Sequence, residues 1–238
     1  MNDQPFFRID WVIDNLDVLA QATIEHIVLT LIAVIGGIAI AFPVTIFIQR
    51  RRRLIGPVLG FTGILYAIPS LALFAVLIPF TGIGLLTAEI ALISYTLLIL
   101  IRNGVAGLDG VDPDVLEAST GMGLSRRQRL WRVELPLATP VIMAGLRIAV
   151  VTTIGLVAVT ALIGQGGLGF VIIVLGIRRQ FETAIVVGVL LSILLAVLAD
   201  RGLVLLERAL TPWTRARTAA GPSASSEPPV AGSTLGAS

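Results

Sequence analysis

Residues able to do chemistry are scarce in this chain, and most of them cluster. The segment 112–136, DPDVLEASTGMGLSRRQRLWRVELP, together with Asp109 holds five acids and four arginines, Arg126, Arg127, Arg129 and Arg132. There is no cysteine and a single histidine, His26, so thiol nucleophiles, disulfides and histidine-rich metal or proton-relay sites are excluded. All seventeen basic residues are arginine. Without lysine the chain cannot build the ATPase phosphate-binding loop, whose lysine follows its glycines, so any ATP-driven work must come from a partner. No catalytic residue, cofactor or metal is expected. What remains is recognition by an ordered, charged surface.

The elements around that segment are apolar. Of 238 residues, 56% are hydrophobic and 13% charged, a balance that suits spanning helices of roughly 20 apolar residues each. The expected fold is an all-α integral membrane bundle of about five spans, near 26–48, 55–79, 84–103, 137–163 and 183–206. These form one transmembrane domain over 26–210, interrupted by a polar loop at 108–136. Pro79, Gly82 and Gly84 mark the turn between the second and third spans. Four glycines within 164–169 stop the fourth, and the ten apolar residues at 168–177 are too short to cross, which predicts a re-entrant piece.

Residues 1–25 read as an amphipathic, interfacial helix, with Asp10, Asp14, Asp17, Gln21 and Glu25 on one side and Ile13, Leu16, Ala20 and Ile24 on the other. His26 reads as a plain interfacial residue. Residues 211–238, rich in Pro, Ser, Ala, Gly and Thr, read as a disordered cytoplasmic tail. With the N-terminus outside, thirteen arginines fall in inside segments and three, Arg8, Arg178 and Arg179, outside. Positive charge favours the cytoplasmic side, so N-out/C-in is expected and the polar loop is cytoplasmic. In a membrane chain this arginine pattern reports topology, and no nucleic-acid partner is expected.

Asp112 and Pro113 make a helix start, Gly123 breaks that helix, and Ser125 with Gln128 forms a capping box for a second short helix. Pro136 is expected to end the second helix and open the next span. The series Glu117-Ala118-Ser119, three residues, Gly123, nine residues, Val133-Glu134-Leu135-Pro136 resembles the EAA loop of binding-protein-dependent ABC importer permeases, a MetI-like superfamily. Ser119 stands where that pattern has alanine, and Val133 where it has isoleucine. The resemblance implies that Glu117, Ala118, Ser119 and Gly123 form a coupling turn docked on an ATPase, with Val133, Leu135 and Pro136 fixing its exit. It also implies an extracytoplasmic binding protein, a second permease subunit and a bacterial cytoplasmic membrane.

Ile68-Pro69-Ser70, Gly82-Ile83-Gly84, Arg102-Asn103, the 164–169 run and Leu206-Glu207-Arg208 resemble the osmoprotectant branch, which imports glycine betaine, choline, carnitine or proline. A permease for methionine or another amino acid is the neighbouring reading. An ion channel or membrane scaffold with a structured loop is the reading from another class.

Tyr66, Tyr95, Arg147, Gly166 and Gly167 are candidates for a translocation pathway, because aromatic faces suit quaternary ammonium groups and charges inside a membrane face protein or water. For each there is a plain structural alternative: packing for the tyrosines, a partner or snorkelling for Arg147, a flexible connector for the glycines. Glu89 is expected near the outer interface. Arg178 and Arg179 stand against the charge bias, as contacts for a binding protein or a sign of a different topology.

Overall fold

The computed structural model describes residues 7–213, so the expected tail lies outside the described residues from 214 onward. Every element described is helical: α1 (Ile9–Asp14), α2 (Leu16–Arg50), α3 (Ile55–Ala67), α4 (Ser70–Thr81), α5 (Leu85–Asp109), α6 (Pro113–Gly121), α7 (Arg126–Arg129), α8 (Leu135–Val159) and α9 (Glu182–Leu210). Backbone amides have no water to bond within hydrocarbon, and helices satisfy them internally. Four continuous helices, Leu16–Arg50, Leu85–Asp109, Arg126–Ile163 and Glu182–Leu210, are long and apolar enough to span. A fifth span results if the bent pair Arg52–Ala67 and Ser70–Thr81 counts as one.

That bent pair differs from the straight second span expected at 55–79. The chain turns by 97° between α3 and α4. Ile68 is extended (φ −67°, ψ 127°) ahead of Pro69, as the residue before a proline prefers. The bend is closed by Tyr95, whose hydroxyl donates to the Ile68 carbonyl at 2.6 Å. Pro79 lies inside α4, and the turn into α5 is made by Gly82 and Gly84, with φ of 76° and 149°.

α5 is the centre of the bundle, packed most extensively on α8 and α2. In lipid, apolar surface alone does not drive helices together, so close approach at small residues carries the association. Gly36 and Gly37 on α2 receive Ile93 and Thr96, Gly104 on α5 receives Thr45, and Gly107 lies against the Ala138 backbone of α8. Gly145 on α8 makes room for Asn103. A methyl at Gly104 would sit 2.9 Å from a Thr45 carbon, too near for the helices to keep their spacing.

At the N-terminus no break marks the expected change from surface helix to span at residue 26. The break falls earlier, at Asn15, whose side chain donates to the Trp11 carbonyl at 2.8 Å. From Leu16 one helix runs to Arg50. The expected apolar stripe of Ile13, Leu16, Ala20 and Ile24 is exposed, and the packed stripe is its neighbour: Leu19 and Ala22, which meet Leu168, Val171, Ala184 and Val187. Trp11 lies edge-on to Phe181 at 5.0 Å, tying α1 to the start of α9. His26 is fully buried, correcting its reading as an interfacial residue.

Beyond α8 the chain tightens into a 3₁₀ turn (Thr160–Ile163), reverses at Gly164 (φ 82°), and forms short π (Phe170–Gly176) and 3₁₀ (Ile177–Arg179) pieces before α9. The 168–177 segment is thus a short helical insertion packed on α9, too short to cross. Its docking depends on Gly169, where an added Cβ would strike the Ala158 backbone, with Ala158 C at 2.7 Å. Backbone cannot swing aside as a side-chain tip can, so overpacking here costs about 1–3 kcal/mol. Gly169→Ala is expected to lower the thermal midpoint of the detergent-solubilised protein by several degrees, read by fluorescence-detected size exclusion after heating. An unchanged midpoint would show that this contact does not anchor the insertion.

Candidate functional site

The polar hairpin is built as its sequence implies at its first three corners. The Asp112 carboxylate accepts from the Asp114 N–H at 2.9 Å, and Pro113 takes the first position of α6. Gly123 adopts φ 80°, a left-handed conformation that costs about 1–2 kcal/mol for a residue with a Cβ. Around it Met122 N–H bonds Ala118 O (3.0 Å), Gly123 N–H bonds Thr120 O (2.9 Å) and Leu124 N–H bonds Ser119 O (3.2 Å). These bonds satisfy the carbonyls that end α6. The capping box is present: Ser125 N–H donates to Gln128 Oε1 at 2.8 Å, and Gln128 N–H to Ser125 Oγ at 3.4 Å.

The fourth corner is a correction. Pro136 does not separate the second short helix from the next span, because one helix runs unbroken over Arg126–Ile163. Residues Leu130–Glu134 form a π turn in which Leu135 N–H reaches back to Leu130 O. The wider turn gives room to the proline ring, which would clash with the preceding carbonyls of a regular helix. The hairpin therefore continues α8 as one rod. Its other end is held too: Leu130 packs with Leu108 and Ala138, and Asp109 at the end of α5 accepts from Arg52 and Gln49, each at 2.7 Å.

Within this frame Glu117, Ala118 and Gly123 are exposed, whereas Ser119 points inward and is buried. The Ser119 hydroxyl donates to Leu116 O at 2.7 Å, which is how a serine occupies a buried position where the family pattern has alanine. Val133, Leu135 and Pro136 are half-buried against the bundle. Arg129 braces the turn from behind, donating to Glu134 at 2.7 Å and to Thr120 Oγ1 at 3.1 Å. Sequence reasoning missed Met122, which is 74% exposed at the tip next to Gly123. A methionine directly before the helix-breaking glycine was the available signal, since flexible thioethers suit adaptable contact surfaces.

The five pathway candidates do not form one site. Tyr66 and Tyr95 meet edge-to-face at 5.9 Å beside the α3–α4 bend, where the Tyr95 hydroxyl is occupied by Ile68. Tyr66 lines a cavity of about 360 Å³ with Leu98, Ile99, Arg102, Asn103 and Ile148, and Tyr95 does not. Arg147 is committed elsewhere: it grips Asp200 of α9 through two bonds, at 2.8 and 3.2 Å, with Glu207 at 3.9 Å. Charges in a membrane need partners, and Arg147 and Asp200, each a charged residue within its own span, were the signal for this pair.

Gly166 and Gly167 belong to a latch between loop and spans. Gly167 N–H donates to Glu25 Oε2 at 3.0 Å, and Leu168 N–H donates to His26 Nδ1 at 3.2 Å. His26 Nε2 lies 2.9 Å from the Ile154 carbonyl. With Nδ1 accepting, Nε2 carries the proton, so a neutral His26 joins α2, the glycine loop and α8. Glu89 is buried on α5, and neither carboxylate oxygen has a hydrogen-bond partner among the described residues.

Comparison with known proteins extends this picture. Residues 33–212 match the family described as the binding-protein-dependent transport system inner membrane component. The osmoprotectant import permease protein OsmW of Salmonella typhimurium is 41% identical over 209 residues, covering 86% of this chain and 97% of the relative. The glycine betaine/carnitine/choline transport system permease protein OpuCB of Bacillus subtilis is 37% identical over 194 residues, covering 82% and 89%. Among solved structures, a chain of the inward-facing MetNI methionine ABC transporter is similar at 25% identity with a TM-score of 0.73, covering 82% of this chain and 97% of that one.

Arg147→Gln, which strands Asp200, is expected to lower the melting midpoint more than the double replacement Arg147→Met/Asp200→Leu, which removes both charges. A double variant less stable than the single would contradict the pairing. His26→Leu leaves the buried Leu168 N–H unpaired, at about 1–3 kcal/mol, while the Ile154 carbonyl keeps its place in the α8 ladder. Hydrogen exchange over 164–170 should then rise at least tenfold, and unchanged exchange would remove His26 from the latch.

Proposed function

The chain belongs to the family of binding-protein-dependent transport system inner membrane components, and from that premise we propose that ATP-driven import of osmoprotectants runs through its hairpin. It is a multi-pass permease subunit of a bacterial inner membrane, a transport component and not an enzyme. The family architecture brings in ATPase and substrate-binding partners. The reading adopted is N-out/C-in, with the hairpin in the cytoplasm as the coupling loop.

The single observation that carries this reading is the unbroken run of the hairpin into α8. Its tip exposes Glu117, Ala118, Met122 and Gly123, while its second short helix runs on into α8 and packs through Leu130 on Leu108 of α5. A push on such a tip moves two spans together; a loop hinged at Pro136 would absorb it. ATP binding closes the ATPase pair, draws the hairpins of two permease subunits together and opens the pathway to the binding protein, and hydrolysis resets it. The face carrying Tyr66, Arg102 and Asn103 is the proposed pathway wall, where an aromatic ring suits a quaternary ammonium.

Glycine betaine, choline, carnitine and proline form the proposed substrate class, supported by relatives at 37–41% identity whose names refer to osmoprotectants, choline or carnitine. The methionine transporter shares the fold at lower identity, so methionine is the second substrate reading. A channel or scaffold role has no support in this family.

In proteoliposomes containing the ATPase and binding protein, labelled glycine betaine is expected to accumulate only with ATP, and choline or carnitine to compete. Accumulation of methionine with no quaternary amine would overturn the substrate class. Gly123→Leu and Glu117→Arg are expected to cut uptake about tenfold or more while leaving membrane insertion intact, since each disturbs the tip and not the spans. Full uptake by both variants would remove the hairpin from coupling.

A further inference from the structure

Where α2 ends against the hairpin, a cleft of about 260 Å³ opens with Gln49, Arg50, Arg52, Arg126, Arg129 and Glu134 as its polar lining. Arg52 is paired with Asp109 and Arg129 with Glu134, each at 2.7 Å. Arg50 and Arg126 have no carboxylate within ion-pair reach among the described residues, leaving the cleft two positive charges in surplus. The cleft thus offers guanidinium donors for an anion.

The cleft is also amphiphilic. Ile46 and Leu108 line it, and both also line an adjoining apolar groove of about 140 Å³ between α2, α5 and α8, walled by residues such as Phe42 and Leu100. The polar part lies at the arginine-rich end of an apolar 35-residue helix, the depth at which a span meets headgroups whichever way the chain is oriented. A free phosphate would satisfy the arginines but leave the groove unused.

We propose that this composite cleft holds an anionic phospholipid. Its phosphate lies on Arg50 and Arg126, and an acyl chain enters the groove. Basic pockets between spans recognise anionic headgroups in this way, and each arginine near such a surface adds to retention. The lipid bridges the end of α2 to the root of the hairpin, so it braces the unit that moves in coupling. The proposal does not depend on which solute is carried or on which partner touches the tip.

The test uses the full-length permease with its ATPase, reconstituted in nanodiscs of equal phosphatidylglycerol and phosphatidylcholine, then washed in detergent and examined by native mass spectrometry. Wild type is expected to keep one phosphatidylglycerol per permease in preference to phosphatidylcholine. Arg50→Gln/Arg126→Gln should lower that retention about tenfold or more, whereas Arg50→Lys/Arg126→Lys should keep most of it, which separates lost charge from misfolding. Arg178→Gln/Arg179→Gln, at the other end of the bundle, should retain it fully. Equal retention of both lipids, or no loss in Arg50→Gln/Arg126→Gln, overturns the proposal. Displacement by millimolar inorganic phosphate would assign the cleft to a soluble anion, and loss of lipid only when the ATPase is bound would assign it to an acidic ATPase side chain. Either result also overturns it.

Discussion

Close approach of α5 to α2 and α8 is the constraint on which the rest of the structure depends. Lipid surrounds apolar side chains as readily as a neighbouring helix does, so the bundle is held where glycines let side chains and backbone fit together. Thr45 against Gly104, Thr96 against Gly37 and Asn103 against Gly145 set the helix spacing. Because α5 and α8 are locked along their length, the hairpin joining their ends is held at both roots. The π turn at Leu130–Glu134 then passes that constraint through Pro136 without a hinge. Rigidity at the tip is thus inherited from packing inside the membrane.

Polar bonds add direction to this apolar frame. Arg147 with Asp200 and Glu207 ties α9 to α8 near the hairpin end, and His26 with Glu25 ties the glycine loop to α2 and α8 at the other end. Both join a peripheral element to the central three helices. A buried charge or imidazole costs stability unless partnered, so each pair also specifies one register among many that apolar packing alone would allow. The apolar side chains of α9 beyond Gly188 that stay exposed, such as Leu190, Leu194, Leu198 and Leu205, are available to lipid or a second subunit.

Much of this was legible in the residues. The corners of the hairpin could be read because caps and left-handed glycines are local chemistry: Asp112-Pro113, Gly123 and Ser125–Gln128 act within a few residues of themselves. The four continuous spans were legible from composition, as was the short piece at 168–177. The 97° bend at Ile68-Pro69 was not, because the proline signal resembles that of Pro43 and Pro140, which helices carry without such a break. The continuity through Pro136 was hidden for the same reason, since a π turn has no signature in the residues alone. His26 and the Arg147–Asp200 pair were misread or left unpaired because their partners lie far along the chain. The pathway candidates were chosen by residue type, and type does not say that Tyr95 and Arg147 are already engaged.

The central claim is that force enters through the hairpin tip. A chain without native cysteine permits a clean test by single-cysteine cross-linking in membranes containing the ATPase. Met122→Cys, at the exposed tip, should give an ATPase adduct that changes in yield between nucleotide-free and ATP-bound states, while Leu205→Cys on α9 and Ile177→Cys at the opposite end give none. An ATPase adduct at position 177 with none at 122 would contradict the account, because it would put the ATPase at the other end of the bundle.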